Sequence, residues 1–255
     1  LPPIAEPVDY RAEVCPGGGI RVALCGAVYR VESSYSFPGG GKNRLAAGTE
    51  AVEDESTWRV EMQNGDGGVY RVRAGGAFYM LEREVSCEPH RILVKDTITN
   101  STGAPLGIIL DNAIDGSGVS GVSNTFMNNP ATFLSKENHG IGLVALDDVY
   151  LEQYEHHYKN GIAGLRSPVF ALDKEAAYTL EWAVYVNGTG DYYDFINAAR
   201  KDEGLIRTVE GGFAFIDLRQ PPTEEFVELR GLKYASIPCL SHAEDDPGIS
   251  IEGFE

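Results

Sequence analysis

Cleavage of a glycosidic bond ordinarily needs two carboxyl groups about 5–10 Å apart, one protonated to donate to the leaving oxygen and one ionised as nucleophile or base. Five acids in this chain stand among apolar neighbours: Asp111, Asp115, Asp147, Asp148 and Glu181. The stretch Asp111-Asn112-Ala113-Ile114-Asp115-Gly116 is the most site-like, because an apolar strand breaks there into a loop rich in Gly, Ser and Asn, and loops on rigid strands often carry function. Asp111 and Asp115 are therefore candidate catalytic residues. The competing reading is that these Asp and Asn side chains hydrogen-bond their own turn backbone. Asp147-Asp148 reads as a tight turn between two strands, and Glu181 as a strand residue facing solvent or a cross-strand cation. His156-His157-Tyr158 offers an imidazole that could serve as a general acid or base beside a carboxylate. Adjacent strand residues face opposite sides, so only one of the two can enter a given cleft. His157 is the candidate, with an ordinary strand end as the alternative.

The same alternation keeps His156 and His157 from sharing one metal ion. Cys15, Cys25, Cys87 and Cys239 have neither CxxC spacing nor a His at ligand spacing, so neither a metal nor a cofactor is expected. A hairpin centred on Pro16-Gly17-Gly18-Gly19 would pair Cys15 near Ile20 and Cys25 near Tyr10, too far apart for a bridge. Gly17–Gly19 and Gly39–Gly41 lack the Lys-Ser/Thr ending of a phosphate loop and read as turns. Sugar recognition asks for aromatic rings against C–H faces and for Asn, Asp and Arg against hydroxyls. Trp58, Asn112, Asn124, Asn128 and Tyr154 supply that mixture, Asn124 and Asn128 lying in the run Ser123 to Pro130. Against it stands the ordinary fate of strand aromatics, which is burial in the core.

Such residues need a scaffold. From Tyr10 to Val186 the apolar pattern is mainly of period two, in runs rich in Val, Ile, Tyr and Thr and bounded by Gly, Asn, Asp and Pro, which is strand chemistry. The clearest runs are Ile20–Ser34, Thr57–Gln63, Val69–Ala74, Phe78–Ser86, Arg91–Asn100, Leu106–Asn112, Gly140–Leu146, Val149–Tyr158, Ile162–Ala171 and Ala177–Val186. Asn64–Gly68 and Asn100–Gly103 read as hairpin reversals, so sequential strands pair locally and antiparallel. About a dozen strands without intervening helices exceed an immunoglobulin-type sandwich and imply two large stacked sheets. At Asn187 the pattern changes: Thr189 or Asp191 can cap a helix with Tyr192, Phe195, Ile196 and Ala199 at helical spacing, ending at Gly204. A strand, a capped helix and another strand follow. The expected organisation is thus a β-sandwich over 1–188, a linker helix over 189–206, and over 207–255 the truncated start of a β/α domain.

A formal charge of −17 repels phosphate backbones and anionic headgroups. Nucleic acid and membrane are therefore not expected as partners, and a neutral ligand is. No apolar stretch reaches the length of a membrane span.

Three segments form a familiar ordered set: Gly142 to Tyr150, Tyr178 to Tyr185, and Asp191 to Asp202 with its Tyr-x-x-Phe-Ile-Asn-x-x-Arg helix, Tyr192 through Arg200. Together they resemble the N-terminal β-sandwich of large bacterial glycoside-hydrolase-like proteins, in which a sandwich similar to the galactose-mutarotase supersandwich precedes a helix and a (β/α)₈ barrel. The resemblance covers roughly Trp58 to Tyr234. It implies a polysaccharide-processing protein, periplasmic or extracellular, whose sandwich is ancillary and whose barrel carries the chemistry, with a glycan and that barrel as partners. It is similar in this to mutarotases, which use a His and a carboxylate, and so a self-sufficient sugar epimerase or lyase is the alternative. A structural or adhesion module without a sugar ligand is a third. Tyr192, Phe195, Asn197 and Arg200 would lie at the seam between sandwich and barrel.

Overall fold

The computed structural model describes residues 8–48, 55–64, 68–125, 130–205, 212–215 and 223–236. It falls into two units, Leu1–Glu203 and Gly204–Glu255. In the first, fifteen strands form two antiparallel sheets. The seven-stranded sheet has the order β1(Tyr10–Val14), β2(Ile20–Leu24), β3(Ala27–Phe37), β9(Leu106–Asp115), β14(Ile162–Leu172), β13(Glu155–Lys159), with β4(Gly41–Leu45) also on β3. The eight-stranded sheet runs β10(Ser123–Thr125), β11(Ala131–Lys136), β12(His139–Ala145), β15(Ala177–Asn187), β8(Arg91–Asn100), β7(Tyr79–Cys87), β6(Val69–Gly75), β5(Arg59–Asn64). Alternate residues of both sheets meet in one buried core, with Val22, Tyr29 and Leu110 from the first and Val72, Val94 and Leu143 from the second. The chain is the mainly-β, two-sheet antiparallel sandwich that its period-two pattern implies.

Three local expectations are corrected. The run Ile20–Ser34 is two strands, because Cys25 (φ 48°) and Gly26 (φ 78°) form a two-residue reversal closed by the pair Leu24 and Ala27. Both central residues have the positive φ of a type I′ turn. The run Val149–Tyr158 is not one strand. Asp147 caps the helix α1(Asp148–Gln153), its carboxylate accepting from the Val149 and Tyr150 amides, and only Glu155–Lys159 is strand. Asp147-Asp148 is consequently a helix start and not a strand-to-strand turn. Finally, Asn100-Ser101-Thr102-Gly103 is no hairpin, since β8 and β9 lie in different sheets. The Asn100 side chain accepts from the Thr102 amide at 2.8 Å and donates to the Ala104 and Asp173 carbonyls at 2.8 and 2.9 Å, so it pins the crossover.

The sandwich core holds a polar tie between the sheets. Arg83 on β7 and Asp96 on β8, 0% and 1% exposed, pair at 2.7 Å. Arg83 also donates to the Ser33 and Tyr35 hydroxyls of β3, while Asp96 accepts from Tyr35 and from the Trp182 indole. A buried charge pair survives only when its remaining hydrogen-bonding capacity is met in this way.

The helix α2(Tyr192–Asp202), N-capped by Asp191, belongs to the sandwich unit. Its buried Tyr192, Phe195, Ala198 and Ala199 cover Ala131, Phe133, Val144, Ala183 and Tyr185 on the outer face of the eight-stranded sheet. Gly142 makes the approach possible, because a Cβ there would lie 2.6 Å from the Phe195 ring. At its far end His90 meets Asp202 at 2.7 Å and Arg91 meets Glu203 at 3.0 Å. In the second unit β16(Gly212–Phe215) and β17(Leu232–Ser236) pair in parallel, with α3(Glu224–Leu229) between them in sequence.

Candidate functional site

On β9 the residues Leu106, Ile108, Leu110, Asn112 and Ile114 face the core, so Asp111, Ala113 and Asp115 face out. The register then builds the outer face of the seven-stranded sheet in rows. Arg44, Ser34, Asp111, Arg166 and Glu155 lie in one row, on β4, β3, β9, β14 and β13. Glu32, Ala113, Gly164 and His157 form the next, and Arg21, Arg30, Asp115, Ile162 and Lys159 the third.

His157 leans from β13 across β14 and places Nε2 2.8 Å from Asp111 Oδ1 on β9. The ring can do so because Gly164 lies beneath it, where a Cβ would stand 2.4 Å from Nε2. With a carboxylate as acceptor, Nε2 is the donor, and Asp111 thereby fixes the orientation of the ring. His157 is 36% exposed and Asp111 20%, so the pair is open to a ligand. Asp115 is occupied differently. Burial works against its ionisation, but hydrogen bonds from Ser117 and the Arg30 guanidinium win and hold its carboxyl below the usual range. Asp111 and Asp115 are thus not equivalent acids: one holds an imidazole and the other closes an ion pair.

His156 points the other way, as strand alternation requires. Its Nε2 lies 3.0 Å from Thr132 Oγ1 of the opposite sheet, and burial, then the neighbouring His157, lower its pKa.

Of the residues considered for sugar contact, Trp58 is fully buried, packs edge-on against Tyr79, and donates its indole N–H to the Arg44 carbonyl. No sugar face reaches it, which corrects that expectation. Asn112 is corrected likewise: it is 2% exposed and spends its amide on Ser33 and Tyr150 in the core. Asn124, half-buried, donates to Thr132 and to the Phe133 carbonyl. Tyr154 is the half-buried C-cap residue of α1. Asn128 and Cys239 lie outside the described residues. Among the seam residues Tyr192 and Phe195 are buried against the sandwich, Asn197 is half-buried and Arg200 is exposed. Cys15, Cys25 and Cys87 are free thiols, and no cluster of metal-ligating side chains occurs among the described residues.

Among solved structures the chain is similar to a polysaccharide lyase, with 16% identity over 76% of this chain and 34% of that one and a TM-score of 0.48. It is similar also to the heparan sulfate lyase HepC from Pedobacter heparinus, at 10% identity, 68% and 31% coverage and a TM-score of 0.41. A galactose mutarotase related enzyme from Lactobacillus acidophilus matches at 7% identity, 74% and 97% coverage and a TM-score of 0.36. The chain spans about a third of the length of the two lyases. No family model and no curated protein matches the sequence.

Sequence reasoning missed Arg30, Arg44, Arg166 and Gly164. Arg166 and Gly164 carried a usable signal, since Gly164 and Arg166 alternate with buried Ala163 and Leu165, as do Glu155 and His157 along β13. What the sequence could not supply was which strands are neighbours.

Proposed function

We propose that this chain is a carbohydrate-contacting β-sandwich of a polysaccharide-processing protein, and that the glycan lies on the outer face of the seven-stranded sheet over Asp111 and His157. The observation that carries the reading is the composition of that face: a His–carboxylate pair and exposed guanidinium groups stand around a floor of short side chains, Ser34, Ala113 and Gly164. Hydroxyl-rich ligands are held by such groups. The opposite outer face is otherwise engaged, by α2 and by the ion pairs Lys95–Glu181, Arg71–Glu84 and Arg73–Glu82. Within the parent protein the sandwich is ancillary, and the unit β16, α3, β17 opens the (β/α)₈ domain that carries cleavage. Glycan-array binding by the whole chain, lost on His157→Ala, is the expected result, and an array without a single hit would return the chain to a structural or adhesion role.

The His157–Asp111 contact favours one second reading, in which the sandwich itself performs acid–base chemistry on a sugar. Turnover of free sugars by the chain, abolished by His157→Ala and by Asp111→Asn, would establish it.

A further inference from the structure

Where β1 ends the seven-stranded sheet, the sandwich keeps a groove of about 520 Å³ between that strand and the ends of β6 and β7. Small-molecule sites occupy roughly 300–1,000 Å³. The walls are side chains that strand alternation turns between the sheets. Tyr70 stands two positions before the core residue Val72 on β6, and Cys87 two positions after the core residue Val85 on β7, so both point inward. Tyr10 of β1 completes the wall from the other sheet. Both tyrosines are half-buried, packed on the core along one side and lining the groove along the other. Asp9 and Arg11, both exposed, form one lip, and Glu88 lies on the opposite one. The Tyr10 hydroxyl donates across the gap to the Glu88 carbonyl at 2.5 Å or the Arg91 carbonyl at 2.9 Å. Burial pushes the pKa of that hydroxyl well above its ordinary value, so it stays a donor. The ring is therefore held in place before any ligand arrives, which spares the cost of ordering it on binding. Cys87 is exposed, and burial of its thiol still raises the pKa, so it is a neutral lining group and not a nucleophile.

We infer that this groove is a second binding site of the sandwich, separate from the outer face over Asp111 and His157, and that it takes a neutral sugar unit at the end of a glycan. Its place does not depend on the glycan reading above, but the choice of a sugar as ligand rests on that reading. Two tyrosine rings offer their faces to the C–H side of a pyranose. At the lips the Asp9 and Glu88 carboxylates accept and the Arg11 guanidinium donates, the mixture that hydroxyl groups require. A neutral sugar fits because both kinds of group stand together there. A groove of this volume holds a short ligand, whereas the open outer face suits a longer run of the same polymer.

Cys87 makes occupancy of the groove measurable in the whole chain. Alkylation by N-ethylmaleimide, followed peptide by peptide in a mass spectrometer, gives its rate beside that of Cys25, an exposed thiol in the turn between β2 and β3. The probes are galactose, glucose, mannose and their neutral disaccharides, with indole as a non-sugar. At about ten times its Kd, a bound sugar should slow Cys87 roughly tenfold and leave Cys25 unchanged. Asp9→Ala with Arg11→Ala should weaken the sugar about tenfold, the loss of a hydrogen bond to a charged group being of that size. Tyr70→Ala should abolish the protection, although Tyr70 also packs on the core, and the exposed pair is the cleaner test. Lys95→Gln, on the outer face of the other sheet, should leave protection as it was. Equal slowing of Cys25, or protection that survives the Asp9 and Arg11 changes, places the ligand elsewhere and overturns the site. Protection by indole and by no sugar overturns the ligand class. Glycan-array hits with no protection of Cys87 overturn this site and leave the outer-face reading standing. Neither hits nor protection sinks both.

Discussion

At the scale of single residues the most consequential charges lie in the core and not at the site. Arg83 and Asp96 are shielded from water and satisfied by Ser33, Tyr35, Trp182 and the Gly18 carbonyl. Arg83→Met removes the cation and leaves a carboxylate in the interior, a change that costs about 3–5 kcal/mol. Denaturant unfolding followed through Trp182 should show that loss, and adding Asp96→Leu should recover a good part of it, because both charges then leave together. A wild-type midpoint for the single variant would mean that water reaches Asp96. His139 makes a different prediction. It is 1% exposed and bonds the Tyr29 hydroxyl at 2.8 Å, and burial, then Lys136, depress its pKa. A depressed imidazole takes up its proton less readily folded than unfolded. Its contribution to stability is complete above the unfolded value of about 6.5 and is lost as pH falls from there toward the folded pKa. The unfolding free energy should therefore decline as pH falls below about 6.5, and decline less steeply in His139→Phe. Identical slopes would exclude His139 as a cause.

At the scale of elements, α1 shows where local pattern fails. Val149 and Tyr150 favour a strand by residue type, yet Asp147 directs them into a helix by capping it and by accepting from the Glu181 amide at 2.9 Å and the Tyr178 hydroxyl at 3.1 Å. Asp147→Ala should cost about 1–2 kcal/mol, more than an ordinary surface change, and Asp147→Asn should recover part of it. Equal midpoints for Asp147→Ala and wild type in thermal unfolding would show that the cap is dispensable. The runs Arg91–Asn100, Leu106–Asn112 and Ala177–Val186, which are strands, share one property: period-two alternation sustained over seven or more residues, which neither a cap nor a turn interrupts. Alternation also separated His156 from His157. It could not bring Asp111 to His157, because β9 and β13 are joined only through β14, and neighbourhood in a sheet is a property of topology and not of any local run. Trp58 and Asn112 were misjudged for a related reason, since an aromatic or amide beside a polar segment looks alike whether the core or solvent lies behind it.

At the scale of the whole molecule, the boundary drawn at residue 188 and the unit that ends at Glu203 make opposite demands on α2. If the helix were a connector, a chain of residues 1–188 would melt as one of residues 1–203 does. The packing requires otherwise. Tyr192 and Phe195 are buried, Phe195 stacking on Phe133 with ring centroids 4.8 Å apart, and each such side chain contributes about 1.5–3 kcal/mol. Removing them would also expose the Phe133 and Tyr185 rings and strip Arg91 and His90 of Glu203 and Asp202. A loss of about 4 kcal/mol is expected on these terms. In a domain of this size it lowers the melting temperature by about 8–16 °C. Differential scanning calorimetry of the two truncations decides the matter, with 1–203 expected to keep a single cooperative transition and 1–188 to melt early or broadly. Coincident transitions would make α2 a connector after all. A large difference would mean that the sandwich buries its outer apolar strip only by recruiting the helix that follows it in sequence.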